Sequence, residues 1–398
     1  MKYAEDLFKG SKNAIANRQI ITYFIQNGAA TIVDLAKVVG MSVPTVTKLV
    51  ENLTALEIIK THGKLETEGG RHPNLYGLNQ DGGYFLGIAV ENDRLLFGLI
   101  NLNGEMIIKQ SEVYTLADSA EGLSELTQKI KIFIDKLNVD KDKLLNIDIS
   151  IPGRINSDTG YSYSFFYTGE RSLTDYLSEH IGYEVCIDND SRAKTYGEYL
   201  RGCISKEQNI LYYNVSEGLG LGIIIDGKLY TGKSGFSGEI GHTYAYDNEI
   251  LCYCGKKGCL ETEVSGRALK RKFVERIEAG ENSLLCKELE NIRDVTMKDI
   301  IDAAIREDTL CIDLIQHLGN ELGKNVANMI NVFNPELVII GGDLSLASDY
   351  LIEPVRAAVR RHSLNLVNKD SKIIISKLKD EAAVVGACML ARSRMFIL

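Results

Sequence analysis

Three cysteines crowd into eight residues, Cys252, Cys254 and Cys259, and His242 stands ten positions before the first of them. Three thiolates and one imidazole are the donor set of a tetrahedral structural zinc site, with no coordination position left for a substrate. Gly255 and Gly258 would let the backbone wrap the ion. The expected cofactor is therefore Zn2+, held by His242, Cys252, Cys254 and Cys259 and structural in role. The other five cysteines (Cys186, Cys203, Cys286, Cys311, Cys388) are scattered. Residues 1–10 are charged and lack the apolar core of a secretory leader, so a reducing, cytoplasmic setting is expected, where a tight cysteine group reads as a metal site.

A second chemistry lies near the N-terminus. Residues 14–26 read as a helix with Ile15, Ile20, Ile21, Phe24 and Ile25 as its apolar positions, ended by Asn27-Gly28. Thr31 and Asp34 form a capping-box variant before Ile32, Leu35, Ala36 and Val39, which share one helical face. Gly40 stops that helix, Ser42 can cap the next, and Pro44 falls in its first turn. With Val46, Leu49, Val50 and Leu53 turned inward, Thr45, Thr47, Lys48 and Asn52 face outward. Short polar and basic side chains on a second helix suit the major groove. On the helices alone, a plain three-helix packing module fits equally well. Two short strand-like runs, 58–61 and 75–78, flank Glu68-Gly69-Gly70-Arg71-His72-Pro73. A hairpin after a recognition helix is a wing, its glycines allow close approach to phosphates, and Arg71 could reach a phosphate or the minor groove. The expected partner is double-stranded operator DNA.

Positioning these groups takes a large chain. Its 398 residues, 45% hydrophobic and 25% charged, predict two or three globular domains. No apolar run approaches the ~18 residues of a membrane span, so no membrane partner is expected. The net charge of −9 argues against nucleic acid until it is divided: residues 1–80 hold nine Lys/Arg and seven Asp/Glu, and the rest is net −11. From residue 84 the texture becomes strand-rich. Runs 84–90, 95–102, 105–114, 146–151 and 184–188 read as strands, with a helix over 119–137. Runs 209–216, 220–226, 228–230, 336–340 and 372–376 repeat the layout, and 381–396 closes as a helix. Two related α/β lobes are expected, with a ligand cleft between them.

The run Phe236-Ser237-Gly238-Glu239-Ile240-Gly241-His242, then Cys252-x-Cys254-Gly255-x-x-Gly258-Cys259-x-Glu261, resembles the signature of the ROK family (repressor, open reading frame, kinase). Residues 216–230 resemble its glycine-rich segment. Val338-Ile339-Ile340-Gly341-Gly342-Asp343 and Ala383-Val384-Val385-Gly386-Ala387 are similar to its C-terminal motifs, and residues 1–80 resemble the winged helix of its repressor branch. The resemblance implies an α/β chain: an N-terminal winged helix-turn-helix (1–80), then a two-lobed actin-like, ribonuclease H-like duplicated sugar kinase fold. Its first lobe would span 81–190 plus the closing helix 381–398. The second, 191–380, would carry the zinc site and an oligomerisation surface.

The same resemblance implies ligand contacts from Asn189, Asp190, Glu239, His242 and Glu261, whose amide, carboxylate and imidazole groups suit sugar hydroxyls. Zinc on one nitrogen of His242 would leave the other to face a hydroxyl and fix its tautomer. In family kinases the residue matching Asp190 is the general base, so Asp190 is a vestigial base candidate. The kinase motif Asp-x-Gly-Gly-Thr is replaced here by the stretch Ile88-Ala89-Val90-Glu91-Asn92-Asp93-Arg94, and Glu217 stands where kinases carry a small neutral residue. A carboxylate there would repel ATP phosphates, and phosphoryl transfer rests on positioning and charge neutralisation. The aromatic stretch 161–167 replaces the family's sugar-side segment; its rings could stack on a sugar or belong to the core.

The expected function is a sugar-responsive transcriptional repressor, not an enzyme. A sugar or sugar-phosphate effector would bind between the lobes and change the operator affinity of a homodimer or homotetramer. The rivals are an ATP-dependent sugar kinase with a DNA-binding appendage, and a scaffold whose helical module binds protein.

Overall fold

A computed structural model of the chain describes residues 12–65 and 72–396. Arg71 and the rest of the Gly69-Gly70-Arg71 run lie outside the described residues. The chain divides into two compact units, Met1–Ala193 with Ala383–Leu398, and Lys194–Ala382.

The first unit opens with three helices, α1 (Lys12–Asn27), α2 (Ile32–Val39) and α3 (Val43–Ala55). Thr31 and Asp34 close a reciprocal capping box on α2, Gly40 ends it in the left-handed region (φ 66°), and Ser42 caps α3 with Pro44 in its first turn. Val46, Leu49, Val50 and Leu53 are buried, as their spacing requires. In α1 the inward face differs from the expected one. Ile15 is 50% exposed, while Ala14, Ala16 and Asn17 are buried with Ile20, Ile21 and Phe24. The reason is period: Asn17, Ile20, Ile21 and Phe24 fall at i, i+3, i+4, i+7, and Ile15 is out of phase with them. Strands β1 (Ile59–Lys64) and β2 (Asn74–Leu78) pair antiparallel, and Ala30 bridges Tyr76 on the other side. That is a wing.

The body of this unit runs β3 (Tyr84–Val90), β4 (Arg94–Asn101), β5 (Met106–Val113), α4 (Ala120–Lys136), β6 (Leu144–Ile151), the short pair β7 (Ile155–Asn156) and β8 (Tyr161–Ser162), α5 (Leu173–Ile181), β9 (Val185–Asn189) and the first turn of α6 (Asp190–Arg201), which belongs to the second unit from Lys194 on. The β7–β8 pair is too short to carry a periodic signal and was not expected. The main sheet has the order β5-β4-β3-β6-β9. Its first three strands are antiparallel, while β3, β6 and β9 are parallel.

In the second unit, β10 (Ile210–Val215), β11 (Leu219–Ile225) and β12 (Lys228–Leu229) form the antiparallel part. They are followed by α7 (Gly266–Glu278), α8 (Leu285–Glu288), α9 (Met297–Ile305), α10 (Thr309–Phe333), β13 (Leu337–Gly341), α11 (Asp349–His362), α12 (Asn365–Asp370) and β14 (Lys372–Ile375). The order is β12-β11-β10-β13-β14, with β10, β13 and β14 parallel. Strand order and strand sense therefore repeat between the two units, a duplicated α/β plan. The central strands β3, β6, β10 and β13 are buried along their whole length, as parallel strands covered on both faces must be.

The last helix, α13 (Ala382–Ser393), returns the chain to the first unit. It lies so close to β3 that a Cβ on Gly87 would come within 2.2 Å of the Cys388 nitrogen. Among the described residues, no helix is long and apolar enough to cross a membrane.

Candidate functional site

The candidate metal ligands come from the short 3-10 turn Ile240–His242 and from the loop after it, which ends at Cys259, just before a second such turn, Leu260–Thr262. Bridges Tyr244 to Cys259 and Leu251 to Lys257 fold that loop into a knuckle, closed by the Cys252 N–H donating to the Lys256 carbonyl at 2.8 Å. Gly255 and Gly258 occupy the left-handed region (φ 84° and 78°). At Gly258 a side chain has no room, since a Cβ would meet the Tyr246 carbonyl at 2.4 Å. The ligand atoms of His242, Cys252, Cys254 and Cys259 all lie within 4.8 Å of one another.

The donor set fits a tetrahedral ion. Bonds of about 2.3 Å to sulfur and 2.0–2.1 Å to nitrogen separate the ligand atoms by roughly 3.5–3.8 Å. Cys252 Sγ is 3.5 Å from His242 Nδ1, and Cys254 Sγ is 3.6 Å from Cys259 Sγ. These two separations suit such an ion, and the donor set suits its chemistry.

His242 offers Nδ1 to the cluster and turns Nε2 toward Glu239, 3.8 Å from its Oε2. A metal on Nδ1 leaves the ring proton on Nε2, a donor facing a carboxylate acceptor. Both side chains are about a third exposed (32% and 39%), within reach of a ligand.

Glu261 differs. It is 7% exposed, and its oxygens are committed within the protein. Oε2 accepts the Leu219 N–H at 3.1 Å, and Oε1 pairs with Arg267 Nη2 at 3.1 Å. Glu261, expected as a ligand contact, also ties the cysteine knuckle to Leu219 at the start of β11. Arg267 was not anticipated; it lies in the first turn of α7, six residues beyond Glu261.

Asn189 and Asp190 come together in the first unit, at the end of β9 and the start of α6. Asn189 is the N-cap: its Oδ1 accepts from the N–H groups of Ser191 (3.0 Å) and Arg192 (3.1 Å). Its Nδ2 donates to the Gly153 carbonyl at 2.8 Å and to Asp190 Oδ1 at 3.0 Å. This cap fixes Asp190, half-buried, as the first helical residue. The five expected ligand residues thus form two sets, one per unit: Asn189 with Asp190, and Glu239 with His242 and Glu261.

Of the two features held to oppose a kinase, one changes. Both Glu217 oxygens lie 2.9 Å from Nζ of Lys270, so its charge is partly neutralised and its repulsion of an anion is weaker than supposed. Lys270 follows Arg267 by three positions, the same face of α7. The β3–β4 turn is as expected, an ordinary hairpin in which the Glu91 N–H donates to the Arg94 carbonyl and Arg94 Nε pairs with Glu91 at 2.5 Å.

On α3, Thr45, Lys48 and Asn52 are exposed and Thr47 is half-buried. Two of the four are partly occupied: Thr47 donates to the Val43 carbonyl (2.9 Å), and Thr45 bonds the Ser42 hydroxyl (2.8 Å). Lys48 and Asn52 project opposite the buried row. Strand β1 adds Lys60 and Lys64, both exposed, on the wing side of the module; alternation in so short a polar strand gave no signal for them.

A profile of the ROK family matches residues 85–394, and a winged helix-turn-helix DNA-binding profile matches residues 15–60. The xylose repressor of Caldicellulosiruptor bescii is 31% identical over 94% of this chain and 95% of its own. A glucokinase of Halalkalibacterium halodurans is 30% identical over 78% of this chain and 96% of its own. A crystal structure of a ROK family transcriptional regulator, a homologue of the Escherichia coli MLC protein, superposes with a TM-score of 0.81 at 29% identity, covering 97% of both chains.

Proposed function

The chain belongs to the ROK family, and we propose that it is a sugar-responsive transcriptional repressor whose affinity for operator DNA is set by a bound sugar or sugar phosphate. The observation that carries this reading is one of extent. Repressors and a transcriptional regulator match the chain nearly end to end, winged helix included, whereas the glucokinase matches 78% of it. The ROK profile's residues 85–394 make up that same share. What distinguishes this chain from the kinase relative is the module whose α3 presents Lys48 and Asn52.

In this reading α3 enters a major groove, and Lys60, Lys64 and Arg71 of the wing approach the backbone. A homodimer or homotetramer supplies two copies for paired half-sites about one helical turn apart. The effector contacts Asn189, Asp190, Glu239, His242 and Glu261. It shifts the equilibrium by binding more tightly to the form with low DNA affinity. The ion is zinc, a structural crosslink that holds His242 in orientation. The setting is the cytoplasm.

The test is selection of genomic fragments by the full-length chain, followed by fluorescence anisotropy on the recovered site with D-xylose and D-glucose titrated in. Release of DNA by one of the sugars supports the reading. A chain that recovers no preferred fragment contradicts it. Asp190 at the head of α6 favours a second reading, an ATP-dependent sugar kinase. Sugar-dependent ATP turnover abolished by Asp190→Asn would establish that one instead.

A further inference from the structure

The C-terminal end of the chain reaches the residues that precede the Asn189–Asp190 pair. Asp148 on β6 and Asp188 on β9 are 0% and 3% exposed, an uncommon place for two carboxylates. In the parallel β6–β9 register Asp148 lies beside Cys186 and Ser150 beside Asp188, so both carboxylates emerge on the same face. Arg394, one residue beyond α13, spans them. Its Nε donates to Asp148 Oδ2 at 2.9 Å, and its Nη2 donates to Asp188 Oδ2 at 2.9 Å and to the Ile187 carbonyl at 3.0 Å. The other oxygen of Asp188 accepts from Arg192 Nε at 2.5 Å and from the Asn189 N–H at 2.7 Å. Arg192 in turn donates to the Ile155 carbonyl at 3.1 Å.

Both oxygens of Asp188 are therefore held, one from α13's end and one from α6, and the backbone amide of Asn189 is fixed by the same carboxylate. Asn189 then caps α6 and braces Asp190. We propose that Arg394 is a positioning residue for the ligand site: it holds Asp188, and through Asp188 the geometry of Asn189 and Asp190. The inference rests on the reading of those two residues as ligand contacts. A buried carboxylate that loses its cation must rearrange or admit water, and the strand end it terminates moves with it.

The test compares Arg394→Met, Arg394→Lys and a control, Phe396→Leu, in the full chain. Phe396 is buried at the same end, its ring edge-on to Phe85 at 5.9 Å. Hydrogen exchange in the absence of sugar is followed across 189–192 and, for reference, across 85–90. Arg394→Met is expected to speed exchange at 189–192 by about tenfold or more over Phe396→Leu, with 85–90 less affected. Arg394→Lys, which keeps the charge but cannot reach both carboxylates and the carbonyl, is expected to fall between. Exchange at 189–192 that is no faster in either Arg394 variant than in the control overturns the proposal, and the Lys variant decides if the Met variant does not fold. A second arm titrates D-glucose and D-xylose. Wild type binding neither sugar would count against the ligand reading, while the exchange arm would still decide the role of Arg394.

Discussion

The carboxylate of Glu261 lies 3.5 Å from the sulfur of Cys252, its Oε1 directed at Sγ. With an ion in the cluster that sulfur is a thiolate, so two negative groups meet, and Arg267 at 3.1 Å from the same oxygen offsets them. Since Oε2 holds the Leu219 amide, metal, carboxylate and the β10–β11 turn form one connected piece.

Elemental analysis of the purified chain should find about one zinc per protein. Chelation, or Cys259→Ser, should lower the melting temperature by several degrees, because each kcal/mol lost from a domain of this size shifts it by roughly 2–4 °C. A metal-free protein melting at the same temperature would exclude a structural ion.

Glu261→Gln keeps the shape but weakens the bonds to Leu219 and Arg267. A cost of about 1–2 kcal/mol in stability is expected, since the hydrogen bonds lost are to a charged acceptor. Sugar affinity should fall with it, measured by calorimetry on protein that retains its zinc. A variant as stable as wild type with unchanged affinity would show that the link carries no weight.

Lys48→Ala should weaken binding evenly across DNA sequences and reduce the slope of log K against log salt by about one, the signature of one phosphate contact. Asn52→Ala should relax base preference by about 1–3 kcal/mol at one position and leave that slope unchanged. Anisotropy titrations at several salt concentrations separate the two. If neither variant alters DNA binding, α3 is not the reading helix.

Asp190→Asn should raise the dissociation constant for the sugar that releases DNA by at least about tenfold, or 1.4 kcal/mol, with little change in melting temperature. The half-buried side chain of Asp190 can keep its bond from Asn189 Nδ2 through the remaining carbonyl. Unaltered affinity would remove Asp190 from the ligand site.

Burial pushes Asp148 up to about 6, against the lowering charge of Arg394 and with a further rise from Asp188; Arg192 lowers it. Between its ordinary value near 4 and 6, the folded chain holds more proton at this group than the unfolded chain, so this contribution to stability falls as pH rises. In Asp148→Asn the contribution is absent. Urea unfolding from pH 4.5 to 7 should therefore show wild-type stability, relative to the variant, declining with pH. A difference that is flat or rises would contradict a raised Asp148.

Residue order was enough for whatever is local. The three helices, their caps at Thr31 and Ser42, and the inward row Val46 to Leu53 follow from spacing and from hydrogen bonds within four residues. The strands of both main sheets followed from β-rich runs between turns, and the candidate metal group from three cysteines in eight positions. Tertiary structure decided what depends on partners far along the chain. That Glu261 accepts the N–H of Leu219, forty-two positions away, and pairs with Arg267 showed only in the fold. Glu217 looked like an uncompensated charge until Lys270 came within 2.9 Å. Arg394 gave no signal at all, because its carboxylates stand 206 and 246 positions earlier. A side chain's type fixes which chemistry it can do, but its charge state and freedom to meet a ligand depend on what packs beside it. Only the folded chain brings those neighbours together.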